Sequence, residues 1–340
     1  MNHQTRSQIY YLFPNPLEQE HLLSTLLRFT RSSPRMTASS AISSISRDGN
    51  NLNPAKPCRP IFDDICTALE LSSKRQTILK SHTLFPYYRA FDFSPVDSYT
   101  LMASGSFTSV NLIREWRWCP LCVESDFDCL GYNCLYIDHQ IPGANICLRH
   151  NYGLISGCGR CGYKWLDIRY FYHYSCISSA CPRCKKKLLP SDRALHPTVQ
   201  WALETSRQIL CGSLEVPPVR KLQNAYRRFI GLETSSSSRQ DRVRIAEANR
   251  YVATKLDSQI FDHFFSNGNP RQKFNELATL PLTRAAFSEA PKLPPIVHLL
   301  LIYALFGSVD KIPMDGETRN DLDVKQPYLS SGSRIRGNSI

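Results

Sequence analysis

Four pairs of metal-ligating residues follow one another in the middle of the chain, and they constrain its fold more than any other feature. Two residues separate the members of each pair, and the pairs are Cys119 and Cys122, Cys147 and His150, Cys158 and Cys161, and Cys181 and Cys184. A turn of this length lets both side chains point at one tetrahedral ion, and two such knuckles complete its coordination shell. The spacing therefore predicts two zinc ions.

Sequential pairing of the knuckles gives one site of three cysteines and a histidine, followed by one site of four cysteines. The second site has the knuckle-to-knuckle spacing of a zinc ribbon, whereas the first has a longer insert. Both shells would be full, with no position left for water or substrate, which predicts structural ions. Interleaved pairing, and a group of merely buried thiols, are the alternatives.

Two other residues could replace a predicted ligand. Cys176 lies five positions before Cys181, and His139 lies within the first insert. We prefer Cys181 because it forms the better knuckle, and a histidine such as His139 is more often a packing or hydrogen-bonding residue. The remaining cysteines have no partner at ligand spacing, and we interpret them as structural: Cys58, Cys66, Cys129, Cys134 and Cys211.

The chain is basic, with 41 Lys and Arg against 29 Asp and Glu and a net charge of +12. This balance favours polyanionic partners, nucleic acid first. Rings and positive charges interleave between the ribbon knuckles, a pattern that could stack bases and contact phosphates. The nucleic-acid-binding candidates are Lys164, Arg169, Lys185, Lys186 and Lys187. The alternatives are a hairpin whose rings cover a small core and, for the lysine run, a solvated face.

Apolar residues at helical spacing flank the cysteine-rich segment on both sides. The predicted fold class is mainly α with small β zinc-ribbon modules. We predict a helical N-terminal domain at 1–113, a tandem zinc-binding domain at 114–193, a helical C-terminal domain at 194–310 and a flexible tail at 311–340. The predicted helices are 18–30, 61–71, 73–80, 198–210, 219–230, 242–256 and 295–306. We expect an aromatic loop at 82–93, a flexible break at 235–238 and a loop at 32–60, in which 38–45 could form a short helix.

Several functional classes lack their sequence signatures. The chain has no GxxxxGK[ST] phosphate loop, no HExxH helix and no GxSxG elbow. Together with two closed metal sites, this predicts a protein that is not an enzyme. The N-terminus carries no secretory signal, and the most apolar stretch is shorter than the ~20 residues that span a bilayer. We therefore expect no membrane association and a cytoplasmic location, where cysteines are ligands or thiols rather than disulfides.

Separated stretches of the chain have the order and spacing of a known family. They are a proline-flanked opening and first helix at 13–29, an aromatic segment at 82–88, a zinc-finger stretch at 117–122, 139–143 and 147–150, and an apolar helix at 298–308. On these residues the chain resembles the TniQ/TnsD family of transposon target-site selection proteins. The zinc-finger stretch is the most specific part of the resemblance.

The resemblance implies an N-terminal domain of a kind that can contain a helix-turn-helix, and a role in choosing where a bacterial transposon inserts. The implied partners are double-stranded DNA or a guide-RNA targeting complex, and the transposon's AAA+ ATPase regulator. Strand cleavage and joining belong to a separate transposase. Because the chain is shorter than the longest site-binding members, a homodimer that bridges a targeting complex to the ATPase is equally compatible. A zinc-containing DNA-binding transcriptional regulator is the alternative function.

Overall fold

The computed structural model describes residues 13–32, 54, 62–63, 65–66, 75–91, 111–112, 115–171, 180–190, 195–232, 238–266, 281–288 and 293–313. These residues form a mainly helical fold with a few short strands and two clusters of cysteine and histidine, which confirms the predicted fold class. None of the helices among them combines the length and the apolar character needed to cross a membrane.

The helices are α1 (Leu22–Ser32), α2 (Arg75–His82), α3 (Phe85–Arg89), α4 (Pro120–Leu130), α5 (Pro197–Leu210), α6 (Val219–Ile230), α7 (Arg239–Lys255), α8 (Ser258–Phe264), α9 (Pro281–Phe287) and α10 (Pro295–Phe306). The strands are β1 (Asn111–Leu112), β2 (Ile146–Cys147), β3 (Tyr152–Gly153) and β4 (Phe265–Ser266). β1 pairs with β4 and β2 with β3, both antiparallel. Short 3-10 turns cover Asp138–Gln140, Ile168–Phe171 and Val309–Lys311.

The sequence predicts the C-terminal helices most accurately. α6 and α10 have the predicted limits, whereas α5 and α7 begin slightly earlier than predicted. α3 lies inside the predicted aromatic loop, and α4, α8 and α9 were not predicted. The predicted helix 61–71 is described only at four residues, all helical. Three predicted segments lie outside the described residues: the possible short helix at 38–45, the tail 311–340 beyond its first residues, and most of the break at 235–238.

α1 begins later than predicted because the residues before it pair with another part of the backbone. The His21 amide donates to Leu135 O at 2.8 Å, and the Ile137 amide donates to Gln19 O at 3.0 Å. Chain that forms this bridge cannot also be helical. The bridge connects the N-terminal helix to the segment that follows α4.

The apolar side chains form two hydrophobic clusters. The first joins α3, the first Cys/His cluster and the C-terminal helices, with α10 buried along almost its whole length at its centre. The second joins α1, α2 and the segment around Trp116 and Trp118 to the ribbon. Burial of apolar surface contributes about 25 cal/mol per Å² to stability, so each cluster stabilises the elements that it connects. The domain limits predicted from the sequence stay a prediction.

Candidate metal centres

The first centre is assembled from a helix start and a β-turn. Cys119 precedes α4 in an extended conformation, and Pro120 occupies the first helical position, where its missing N–H costs no hydrogen bond. Cys122 lies in the first turn of α4. Cys147 ends β2, and His150 lies in the turn that leads into β3.

The distances in this centre are those of a shared tetrahedral ion. The Sγ atoms of Cys122 and Cys147 are 3.8 Å apart, and Nδ1 of His150 lies 3.6, 3.3 and 3.7 Å from the Sγ atoms of Cys119, Cys122 and Cys147. A tetrahedral zinc with its usual bond lengths separates two sulfurs by about 3.8 Å, and a sulfur from a nitrogen by about 3.6 Å. The sulfurs of a disulfide would be only about 2.0 Å apart.

The second centre consists of two similar knuckles. The Sγ atoms of Cys158 and Cys184 are 3.6 Å apart, and those of Cys161 and Cys181 are 3.5 Å apart. In each knuckle the residue after the second cysteine donates its amide to the carbonyl of the first, at 2.9 Å in both. That residue is Gly162 in one knuckle and Lys185 in the other, and both adopt a left-handed conformation, with φ of 70° and 59°.

The structure groups the predicted ligands in sequential pairs. The ligand atoms of each foursome lie within 4.8 Å of one another, so the two clusters could hold two metal ions. His139 stands outside the first foursome, with Nε2 4.0 Å from Cys122 Sγ and a buried Nδ1 that has no partner among the described residues. Cys176 lies outside the described residues.

The thiols of the first centre perturb one another. Hydrogen bonds with Cys119 and Cys147 raise the pKa of Cys122, whereas hydrogen bonds with Cys119 and Cys122 lower the pKa of Cys147. In the second centre, the Cys161 amide lowers the pKa of Cys158 to about 6. Three or four adjacent thiols do not ionise together unaided, so a metal cation would replace the protons that they share.

Arg117 is fully buried and is bonded to the loop that leads into the first centre. Its Nη1 donates to Ile141 O at 3.1 Å and to Ala144 O at 2.8 Å, in the loop before β2. Burial lowers the pKa of Arg117 to about 10. The next residue, Trp118, exchanges backbone hydrogen bonds of 2.9 and 3.2 Å with Ile155, which leads towards the ribbon. Apart from His139, which was considered as a possible ligand, Arg117 and the motif residues of this loop were noticed only through the family resemblance, which assigned Arg117 no role.

Two of the rings between the ribbon knuckles belong to the core. Trp165 and Phe171 are buried, and the Trp118 ring packs edge-on against both, at centroid distances of 4.8 and 5.5 Å. The prediction that these rings stack on bases is therefore wrong for Trp165 and Phe171, because they are already enclosed by protein. The alternative, that rings in this segment cover a small core, is correct for these two, whereas the hairpin stays a prediction. Tyr172 and Tyr174 lie outside the described residues.

The nucleic-acid-binding candidates do not form one constellation. Lys164 makes an ion pair with Glu115, while Lys185, Lys186 and Lys187 are exposed directly after the last ligand. The Arg169 side chain is not among those that the structure describes. These contacts with nucleic acid stay predictions.

The cysteines outside the two centres fall into two groups. Cys66 and Cys134 are buried, in agreement with a structural role. Cys129 and Cys211 are exposed, so burial does not support the structural role predicted for them. Cys58 lies outside the described residues.

These features define a class: a mainly helical protein built around two four-ligand Cys/His clusters. The TniQ family model matches residues 11–154, which include α1, α4 and the entire first centre. The chain thus carries a TniQ domain at these residues, and such a domain implies a transposition-associated protein. The second centre and helices α5 to α10 lie beyond the matched residues. No curated protein matches the chain.

Proposed function

We propose that this chain is a non-catalytic target-site selector in DNA transposition. It binds target DNA or a guide-RNA targeting complex and recruits the AAA+ ATPase regulator and the transposase of its element. The observation that carries this proposal is the TniQ domain at 11–154, which encloses the first Cys/His cluster. The selector works in the bacterial cytoplasm at the nucleoid, as a monomer or a homodimer.

Two structural zinc ions hold the selector in shape. Zinc favours thiolate and imidazole ligands in a tetrahedral shell, which is the donor set and geometry of both clusters. The zinc ligands are Cys119, Cys122, Cys147 and His150 in the first centre, and Cys158, Cys161, Cys181 and Cys184 in the second. When bound, each ion cross-links two knuckles that are far apart in sequence. Since four protein ligands complete each shell, the ions supply folding energy rather than a reactive water.

Double-stranded DNA is the polyanionic partner that the net charge of +12 favours. From the ribbon, the proposed phosphate contacts are Lys164, Arg169, Lys185, Lys186 and Lys187. Lys164 must then leave Glu115 or contact DNA with its exposed half. The other three lysines are exposed already.

The test is a reconstitution with the components of the same element. Immobilised target DNA, with the targeting complex where the element encodes one, is incubated with the ATPase regulator in the presence or absence of this chain. Retention of the ATPase should require the chain and should fail for Cys122→Ser, which disrupts the first centre. Equal retention without the chain would overturn the proposal. Binding of a promoter with no retention of the ATPase would favour the transcriptional regulator.

A further inference from the structure

Large apolar side chains lie exposed along α4. Phe127 is 53% exposed and Leu130 is 42% exposed. With the partly buried Val123 they have the spacing i, i+4 and i+7, so the three residues form one apolar stripe along the helix. Val123 packs against the second hydrophobic cluster. The stripe therefore continues from the core onto the surface.

Two carboxylates run beside this stripe. Glu124 and Asp128 are both exposed, and they lie four residues apart on the helix, each one position after a residue of the stripe. α4 has no basic residue, and neither carboxylate forms an ion pair within the part of the chain that the structure describes. Like charges at this spacing destabilise a helix. The acidic side of α4 is therefore not compensated by the helix itself.

The position of Asp128 adds a second unfavourable interaction. Asp128 lies in the last turn of α4, and the C-terminal end of a helix carries a partial negative charge. A basic residue would be favourable in this turn, but the turn has none. Negative charge thus stays unbalanced here on a chain whose net charge is +12. A cation supplied by a partner would relieve both repulsions.

Other residues of α4 fix the orientation of the helix. Cys122 belongs to the first centre, and the buried Asp126 accepts hydrogen bonds from the Cys134 amide at 3.1 Å and from the Tyr136 hydroxyl at 2.5 Å. The helix cannot rotate to bury Phe127 without breaking these contacts. The apolar stripe and the two carboxylates therefore stay accessible to a partner.

We infer that this face of α4 docks a basic amphipathic helix of a partner protein. Apolar side chains of such a helix would cover Phe127 and Leu130, while Lys or Arg beside them would pair with Glu124 and Asp128. The stripe from Val123 to Leu130 is about 10 Å long at a rise of 1.5 Å per residue, which matches two turns of a partner helix. The charge of the face selects this occupant, because it repels polyanions such as DNA and acidic protein segments.

The inference goes beyond the proposed function, and its test needs no other component of a transposon. The probe is a fluorescein-labelled peptide of about 15 residues, with leucines at helical spacing and lysines on both sides of them. A second peptide has glutamate in place of every lysine. Binding of each peptide to the full chain is measured by fluorescence anisotropy at low and at high salt, since salt screens exposed charges.

The test variant changes the apolar and the acidic part of the face together, as Glu124→Gln, Phe127→Ser and Asp128→Asn. The matched control removes one exposed apolar side chain and two exposed carboxylates from other parts of the chain: Leu189→Ser, Glu215→Gln and Asp310→Asn. Circular dichroism and zinc content verify the folding of both proteins.

The wild-type chain should bind the basic peptide at least about 10-fold more tightly than the acidic one, and the α4 variant should bind the basic peptide about 10-fold more weakly than wild type at low salt. The control should stay within about twofold of wild type. Equal losses in variant and control, equal binding of the two peptides, or no binding of the basic peptide to wild type would overturn the inference.

A second copy of the chain is the other possible occupant of this face. Sedimentation of the chain without peptide tests for it. The wild-type chain and the α4 variant should have the same oligomeric state. Self-association of wild type that the α4 variant loses would assign the face to a second copy and refute the partner helix.

Discussion

Arg28 and Glu20 form a buried ion pair at the N-terminal helix, with Arg28 Nη2 2.6 Å from Glu20 Oε2. The side chains are only 8% and 0% exposed. Ser24 donates to the same carboxylate at 2.9 Å, and the Leu17 amide donates to it at 2.9 Å. Because both oxygens of the carboxylate accept hydrogen bonds, the cost of removing the ion pair from water is offset in the folded chain. Each partner would be a buried, unpaired charge without the other.

The first prediction concerns this pair. Arg28→Met should lower the free energy of unfolding by about 3 to 5 kcal/mol, because it leaves the Glu20 carboxylate buried without its cation. Urea unfolding followed by circular dichroism provides the measurement. Glu20→Gln combined with Arg28→Met should recover part of the loss, since the double variant buries no charge. A double variant less stable than Arg28→Met would contradict this account.

The second prediction concerns metal content. Wild-type protein should contain two zinc ions per chain, and Cys122→Ser should contain one, with a large loss of stability. A structural zinc contributes about 10 to 16 kcal/mol of binding energy at pH 7, and that energy is also folding energy. Cys129→Ser is the matched control, because Cys129 lies on the same helix but is exposed and outside the cluster. Elemental analysis of the three proteins measures the zinc content per chain. Two zinc ions in Cys122→Ser would refute the assignment.

The third prediction concerns pH. Burial lowers the pKa of His298 from its usual 6.5 to about 4, so the folded chain keeps this imidazole neutral while the unfolded chain protonates it at about 6.5. The unfolded state binds more protons between these values, so stability falls as the pH drops from about 6.5 to 4. Above pH 7 this contribution does not change.

The variant His298→Phe isolates this effect from acid loss of metal, which affects both proteins. The free energy of unfolding of wild type should fall by about 2 kcal/mol more than that of the variant between pH 7 and pH 5. Phenylalanine suits the site because the histidine ring already stacks on Phe91, at a centroid distance of 5.2 Å. Parallel pH profiles for the two proteins would show that His298 does not titrate as stated.

The fourth prediction concerns the second ribbon knuckle. Lys185 has a φ of 59°, in a position where the first knuckle has Gly162. A left-handed conformation costs a residue with a side chain about 1 kcal/mol relative to glycine. Lys185→Gly should therefore leave stability unchanged or raise it by up to about 1 kcal/mol, as measured by thermal unfolding. Lys186→Gly, which removes the same charge from an ordinary backbone position, should be destabilising, and the reverse order would contradict the proposed strain.

The sequence by itself determined the features that depend on short stretches of chain. Two-residue spacing brings Cys119 next to Cys122 and Cys158 next to Cys161 whatever the rest of the chain does. Apolar residues at helical spacing specified α6 and α10 with their observed limits, because Gly231 and Gly307 end both helices locally. The family resemblance, confirmed at 11–154, also depends on such local motifs.

Only the tertiary structure decided which knuckles share a centre, because that depends on packing between residues distant in sequence. The tertiary structure also decided the role of the Trp165 and Phe171 rings. They alternate with basic residues in the sequence but pack against Trp118 in the fold. An arginine is usually exposed, yet Arg117 is buried and donates hydrogen bonds to two backbone carbonyls of another loop. A residue's neighbours along the chain fix its local conformation, whereas its burial and partners are fixed by contacts that form only when the chain has folded.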